Sequence, residues 1–341
     1  MIKVKIQNPT EDRNRPTFAP FFRCLNLLKD YSIEITKSDD FDYLFVGMND
    51  FIDKQISLKD SVNYGLENLS KISGDYFLFD GSDSTSLMGA YEVFKDSDAI
   101  YLFKNQKLKN KDHYKVPYAF NKFFFGSGSE IDLSYDITDD DWSRIKFSHN
   151  NLGYWNDYSN HLPISKDKNI DLCAIFNAVH KKNKDHGVRN DLLYTEHRKS
   201  LWDKVSPLKE KYNMLTEKKP FQEYIQNLHN SKISLSPFGM GELCFRDLES
   251  MVVGTIILKP SHAMVDTLPN LMIDDETFIS CEYDWSDLEE KIDYILSNFD
   301  YLNEKLNHNI RTIFNKNFTY DNFCRYYYEM FSNLSGVNSY E

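Results

Sequence analysis

The chain has 341 residues, 41% of them apolar and 27% charged, which is enough for ordinary hydrophobic cores in two domains of roughly 100–200 residues each. That composition excludes a mainly disordered, collagenous or coiled-coil protein. Lys and Arg number 40 against 52 Asp and Glu, so the net charge of −12 argues against nucleic acid and anionic membrane surfaces as main partners.

Aromatic residues reach 15%, which fits either rigid pockets or crowded cores. Cys24, Cys173, Cys244, Cys281 and Cys324 are odd in number and scattered, without a C-x-x-C pair. They read as reduced, mostly buried thiols of a cytoplasmic protein. Residues 1–10 lack the apolar core of a signal peptide, and no window approaches about 18 consecutive apolar residues, so no transmembrane segment is expected.

Along the first half, Ile2–Ile6, Ser32–Thr36, Tyr43–Val46, Tyr76–Phe79 and Ala99–Phe103 are expected strands. Phe18–Leu28 and Thr85–Phe94 have helical spacing. Strands separated by helices argue for a parallel sheet covered on both faces. From about Asn105 to Lys166 the pattern loosens into the outer part of the first domain, with a linker near Leu162–Asn169. The acidic run Asp139–Asp141 reads as a helix N-terminus ahead of Trp142 in preference to a metal site, since carboxylates favour that end of the dipole.

The second half restarts the alternation. Asp171–Asn177, Tyr212–Thr216, Lys232–Ser236, Thr255–Lys259 and Phe278–Glu282 are expected strands. Asn190–Val205, Pro220–Leu228, Glu242–Val253 and Trp285–Leu296 are expected helices between and after them. Tyr301–Phe314 and Tyr320–Phe331 follow as helices with no strand beyond. The economical fold class is α/β, with two Rossmann-like doubly wound domains facing a cleft. The expected division is 1–165, 166–310, and a C-terminal helical segment 311–341 that packs back on the first domain.

Chemistry concentrates in Ser231–Pro260. A buried strand (Ile233, Leu235) runs into Pro237, Gly239 and Gly241, and a helix follows directly. In an open parallel sheet, ligands bind at the carboxyl ends of strands, and a helix N-terminus offers free N–H groups to an anion. Gly239 and Gly241 let a phosphate approach the backbone. In the expected helix Glu242–Val253, Glu242, Arg246 and Glu249 fall at i, i+4 and i+7 on one stripe, opposite an apolar stripe of Cys244, Leu248, Met251 and Val252. Such a stripe is either a solvated face with a Glu–Arg pair or a ligand face. In the second case Arg246 forks onto a diphosphate and Glu249 accepts two hydrogen bonds from a ribose diol.

The stretch SPFGMGELCFRDLESMVVGTIILKP, followed by DWSDLEEKIDYIL, resembles the donor-binding half of GT-B glycosyltransferases of the group 1 and exostosin-like branch. The resemblance is clearest over Lys232–Leu296 and weaker over Gly74–Tyr101, which looks like an acceptor-domain segment. It implies a first, acceptor-side domain and a second that binds the nucleotide-sugar. It places Glu249 on the ribose and Arg246 on the diphosphate, with Gly241 and the helix N-terminus beneath. Six residues separate Glu242 from Glu249, one fewer than retaining members show, so the resemblance leaves the stereochemical outcome open.

Lys259 and His262, after the next strand, are further candidates for the nucleotide or sugar, and so is Arg198, beside His197 in the helix after the domain's first strand. Each has an ordinary surface role as its alternative. For catalysis, Asp80 and Asp83 follow the strand Tyr76–Phe79, and one of them can deprotonate an acceptor hydroxyl in an inverting enzyme. Their alternative is a tight turn with an Asp cap. His149 is a lesser candidate base.

The chain lacks G-x-G-x-x-G, Walker A, H-E-x-x-H and G-x-S-x-G patterns, so hydride transfer, NTP hydrolysis, zinc hydrolysis and α/β-hydrolase chemistry lose support. The expectation is a metal-independent glycosyltransferase of polysaccharide or glycoconjugate synthesis. It would move a sugar from a UDP- or GDP-linked donor to a glycan, lipid-linked or other hydroxyl acceptor. A nucleotide-sugar epimerase and a non-catalytic nucleotide- or sugar-binding protein of the same fold are the alternatives.

Overall fold

The structure, a computed structural model, describes residues 1–8, 15–51, 56–87, 89–115, 123–125, 129–131, 134–149, 168–177, 193–239 and 241–335. The chain divides into two compact units. One is Met1–Gly153 with Thr267–Pro269 and Asn315–Glu341; the other is Tyr154–Asp266 with Asn270–Phe314. All but the last two residues of the expected linker near Leu162–Asn169 lie outside the described residues.

The first unit is built on a six-stranded parallel sheet of β1 (Ile2–Ile6), β2 (Ile33–Thr36), β3 (Tyr43–Gly47), β4 (Tyr76–Asp80), β5 (Leu102–Lys104) and β6 (Ile145–Phe147). Its order is β2-β1-β3-β4-β5-β6, with Val4 opposite Tyr43, Leu44 opposite Tyr76 and Leu78 opposite Leu102. All five residues of β4 are buried, as a strand covered on both faces requires. One face carries Leu44, Val46, Leu78 and Leu102 against α3 (Leu58–Leu69) and α4 (Ala90–Lys95).

The other face is aromatic. Phe45 and Phe79 meet Phe18 and Phe21 of α1 (Arg15–Arg23), Phe77 packs on Phe45, and Phe79 stacks on Phe103 at 4.5 Å. The C-terminal helix Tyr320–Ser335 completes that layer, with Phe323 and Tyr327 on Phe21 and Phe331 stacked on Tyr43. Tyr326 and Tyr327 donate to the Phe147 and Ser148 carbonyls at 2.8 and 2.7 Å. Much of the chain's aromatic excess is therefore core.

Three elements of this unit differ from the expectation. The expected helix Phe18–Leu28 is two helices, α1 and α2 (Leu25–Asp30), broken at Cys24, whose thiol donates to the Pro20 carbonyl at 3.1 Å. The expected helix at Thr85 begins only at Ala90, because Ser84, Thr85 and Ser86 are buried in the turn before it. Gly89 enters that helix at φ +81°, with Glu92 Oε2 accepting its N–H at 2.7 Å. The short strand β6 lies in the stretch whose pattern had loosened. The acidic run does open a helix, α5 (Asp139–Arg144), capped by Thr138, whose hydroxyl accepts from Asp141 N at 3.0 Å.

The second unit repeats the plan. Its parallel sheet runs β8-β7-β9-β10-β11, from β7 (Ile170–Cys173), β8 (Met214–Leu215), β9 (Ser231–Leu235), β10 (Ile256–Pro260) and β11 (Ile279–Cys281). Its helices are α6 (Leu193–Val205), α7 (Phe221–His229), α8 (Phe245–Val252), α9 (Leu288–Ser297) and α10 (Phe299–Asn317), ahead of α11 (Tyr320–Ser335) of the first unit. Counted within each unit, both sheets begin 2-1-3-4-5, a doubly wound order whose switch point falls between the first and third strands. The fold class is α/β with two Rossmann-like sheets.

His149, at φ +55°, is buried against Phe323 and Tyr326, and burial pushes its imidazole down to about 4 from 6.5. The unfolded chain therefore takes up this proton first, and stability falls as pH drops from 6.5 toward 4, by about 2 kcal/mol at pH 5. His149→Asn, which tolerates the left-handed backbone, should flatten that limb of a urea-unfolding pH series by this amount. An unchanged slope would contradict a neutral buried imidazole.

Candidate functional site

At the switch point of the second unit, β7 and β9 lead into residues 174–177 and 236–239, and two arginines bind these segments. Arg198 of α6, 9% exposed, donates from Nε to the Phe238 carbonyl at 2.8 Å and from Nη1 to the Asn177 carbonyl at 3.4 Å. Arg246 of α8, half-buried, donates from Nη2 to the Ile175 carbonyl at 3.0 Å. Its Nε is buried and has no hydrogen-bond partner among the described residues.

One turn along, Glu249 is 8% exposed, and its Oε2 accepts from the Tyr224 hydroxyl of α7 at 2.9 Å. Burial raises its pKa, against lowering by the Tyr224 hydrogen bond and the Arg246 charge. Arg246 and Glu249 thus share one stripe at i and i+3, the arginine reaching toward the end of β7.

The loop leading into α8 is tightly packed at Gly239. A Cβ on Gly239 would stand 3.0 Å from Cys244 Sγ and 3.2 Å from Arg198 Nη2, and Gly239 N donates to the Gly241 carbonyl at 2.9 Å. Beneath lies a closed polar network. Asp247 Oδ1 accepts from Ser236 Oγ at 2.6 Å; its Oδ2 accepts from Cys244 N at 2.7 Å and from Lys259 Nζ at 2.5 Å. Lys259 Nζ also donates to the Glu242 carbonyl at 2.7 Å and lies 5.3 Å from the Phe238 ring centre. Asp247 and Lys259 are both fully buried.

This network corrects the expected start of the helix. Asp247 takes the N–H of Cys244 in a capping box, so α8 begins at Phe245 and not at Glu242. Glu242 therefore lies in the loop, buried, and off the Arg246–Glu249 stripe. Cys244 is the cap and not part of the apolar stripe.

His262 is buried with its ring edge-on to Phe238 and Phe278, and its backbone N–H donates to Asp274 Oδ1 at 2.9 Å. His197 Nε2 accepts from Phe238 N at 3.3 Å while its ring stacks on Tyr283 at 4.6 Å. Burial, then the charges of Arg198 and Lys259, hold its imidazole down at about 3. Sequence reasoning missed Tyr224 and Asp247. The second had a signal, an acid three residues past the cap.

In the first unit, Asp80 and Asp83 share a turn with different environments. Asp80 is buried, with Oδ2 accepting from Lys104 Nζ at 2.7 Å and Oδ1 from Ser82 N at 2.9 Å. Burial alone would raise its pKa, but the Lys104 charge and hydrogen bond outweigh that and hold it below the usual carboxylate value. Lys104 Nζ also donates to Ser82 Oγ at 3.0 Å and the Ser86 carbonyl at 2.6 Å. An ion-paired carboxylate of lowered pKa is a weak base, and the contacts of Asp80 are those of the tight turn that was the alternative to a catalytic role. Asp83 is exposed, and its carbonyl accepts from Gln106 Nε2. His149, buried and neutral, is likewise held in the aromatic layer.

No protein-family model and no curated protein sequence matches the chain. Its fold is similar to that of a glycosyltransferase from Rickettsia africae ESF-5, with a TM-score of 0.51 at 11% identity over 99% of each chain. Weaker likenesses are to a sucrose-phosphate synthase from Thermosynechococcus elongatus (TM-score 0.43, 11% identity, 93% of this chain and 80% of that one) and to a UDP-GlcNAc 2-epimerase from Methanocaldococcus jannaschii (TM-score 0.37, 9% identity, 92% and 98%). The first likeness bears on fold, and the fold is of the GT-B kind. Among the described residues no helix is long and apolar enough to cross a membrane.

Removing one partner of the Lys259–Asp247 pair leaves the other buried and uncompensated. Lys259→Met should cost about 3–5 kcal/mol in chemical unfolding. A loss below about 1 kcal/mol would show that the pair does not hold this loop.

Proposed function

We propose that the second unit binds the nucleoside diphosphate of a nucleotide-sugar and that the protein transfers the sugar to a hydroxyl-bearing acceptor. The observation that carries this reading is the Arg246 guanidinium, whose buried Nε has no partner among the described residues, on one helix stripe with Glu249 at the sheet's switch point. Phosphate oxygens are the natural acceptors for that guanidinium, because two charge-assisted hydrogen bonds match its planar fork. Glu249, held by Tyr224 through one oxygen, offers its carboxylate to a ribose diol. Gly239 and Gly241, without side chains, would let a phosphate approach the backbone ahead of α8.

In the proposed reaction the bond from the sugar's anomeric carbon to the diphosphate oxygen breaks, and the acceptor oxygen bonds to that carbon. Arg246 and the α8 N-terminus would offset the charge that develops on the leaving diphosphate. The acceptor hydroxyl must give up its proton; Asp83, the exposed carboxylate of the Asp80–Ser86 turn, is our candidate to take it. Lys259 and Asp247 act indirectly in this scheme, by fixing the loop and the start of α8, and Arg198 by fixing residues 177 and 238. UDP- and GDP-sugars are the donor classes considered, with a glycan or lipid-linked alcohol as acceptor.

Calorimetric titration with UDP and GDP tests the site. Arg246→Ala should weaken binding of the preferred nucleotide roughly ten- to a hundredfold, the loss of a charge-assisted contact of about 1.5–3 kcal/mol. Glu249→Gln should also weaken it while leaving the melting temperature nearly unchanged. Wild-type affinity in both variants would overturn the assignment.

A further inference from the structure

The second unit has a cavity of about 350 Å³ lined by none of the residues proposed for the nucleotide. Its size falls within the range of small-molecule sites, roughly 300–1,000 Å³. Tyr294 and Lys291 reach it from α9, Tyr301 and Lys305 from α10, so each helix supplies a tyrosine and a lysine about one turn apart. Asp275 and Glu290 complete its polar lining, and the edge strand β11 closes it through Ile279. Lys305 Nζ donates to the Asp275 carbonyl at 3.1 Å, which fixes one wall.

Two features define what fits. Tyr294 and Tyr301 are 47% and 65% exposed, large ring faces left in water. The formal charges cancel, Asp275 and Glu290 against Lys291 and Lys305, so a polyanion gains no net attraction. A purely apolar ligand would instead desolvate four charged groups. A neutral sugar ring meets every demand at once: its C–H face packs on a tyrosine, its hydroxyls donate to the carboxylates, and its oxygens accept from the ammonium groups.

We infer that this cavity is a binding site for a neutral oligosaccharide, separate from the nucleotide site. The inference does not rest on the Arg246 reading and stands or falls without it.

Titration of the full chain with maltohexaose, cellohexaose and chitohexaose, followed by ligand-observed NMR, tests it. At least one should bind, and Tyr294→Ala/Tyr301→Ala should weaken that binding tenfold or more, about 1.4 kcal/mol. Circular dichroism and melting temperature verify that the double variant is folded, as expected for two solvent-facing rings. A sulfated heparin hexasaccharide should not compete. Absence of binding by all three neutral sugars, binding that survives loss of both tyrosines, or preference for the sulfated chain would each overturn the inference.

Discussion

The second unit depends on one buried ion pair, Lys259 with Asp247. Two charges removed from water are costly unless each is fully hydrogen-bonded. Here the ammonium meets a carboxylate and the Glu242 carbonyl, and the carboxylate also accepts from Ser236 and Cys244. The contacts join four places: the end of β10, the exit of β9, the loop through Glu242, and the first turn of α8. The direction of Arg246 and Glu249 follows from where that first turn begins. A helix starting one turn earlier would have carried Glu242 onto the same stripe.

The first unit uses a similar device. Lys104, fully buried at the end of β5, reaches the turn after the neighbouring strand β4 and holds Asp80, Ser82 and Ser86. In each unit a lysine at the carboxyl end of one strand pins the polar segment that follows the strand beside it. Both ammonium groups are ion-paired and hydrogen-bonded, which separates them from Arg246, whose buried Nε has no partner among the described residues. A buried positive charge is thus no guide to a binding role by itself; its partners decide.

The sheet strands were largely legible because a doubly covered parallel sheet demands continuous apolar runs, and Tyr76–Phe79 and Ile256–Leu258 are such runs. Strand Ile145–Phe147 was not, being three residues with a lysine in its middle, fixed by pairing with Leu102–Lys104. Helix starts were the least legible elements. Cys244 is not a residue that usually caps, so helical spacing ran on through Glu242. Of the candidate site, the placing of Arg246 and Glu249 on one stripe could be read from spacing and position. The roles of Asp80, Lys259 and Tyr224 could not. Each is set by a partner 12 to 25 residues away, Lys104, Asp247 and Glu249 respectively. Sequence alone does not distinguish a buried charge from a solvated one.

The most direct test of the account is turnover at the Arg246 site. The wild-type chain and Arg246→Ala would be incubated with UDP-glucose, UDP-N-acetylglucosamine and GDP-mannose beside a panel of hydroxyl acceptors, and free UDP or GDP measured over time. The account predicts nucleotide release from at least one donor by the wild-type chain, accelerated by an acceptor and strongly reduced in the variant. Nucleotide binding without release from any donor, or release equal in wild type and variant, would contradict it.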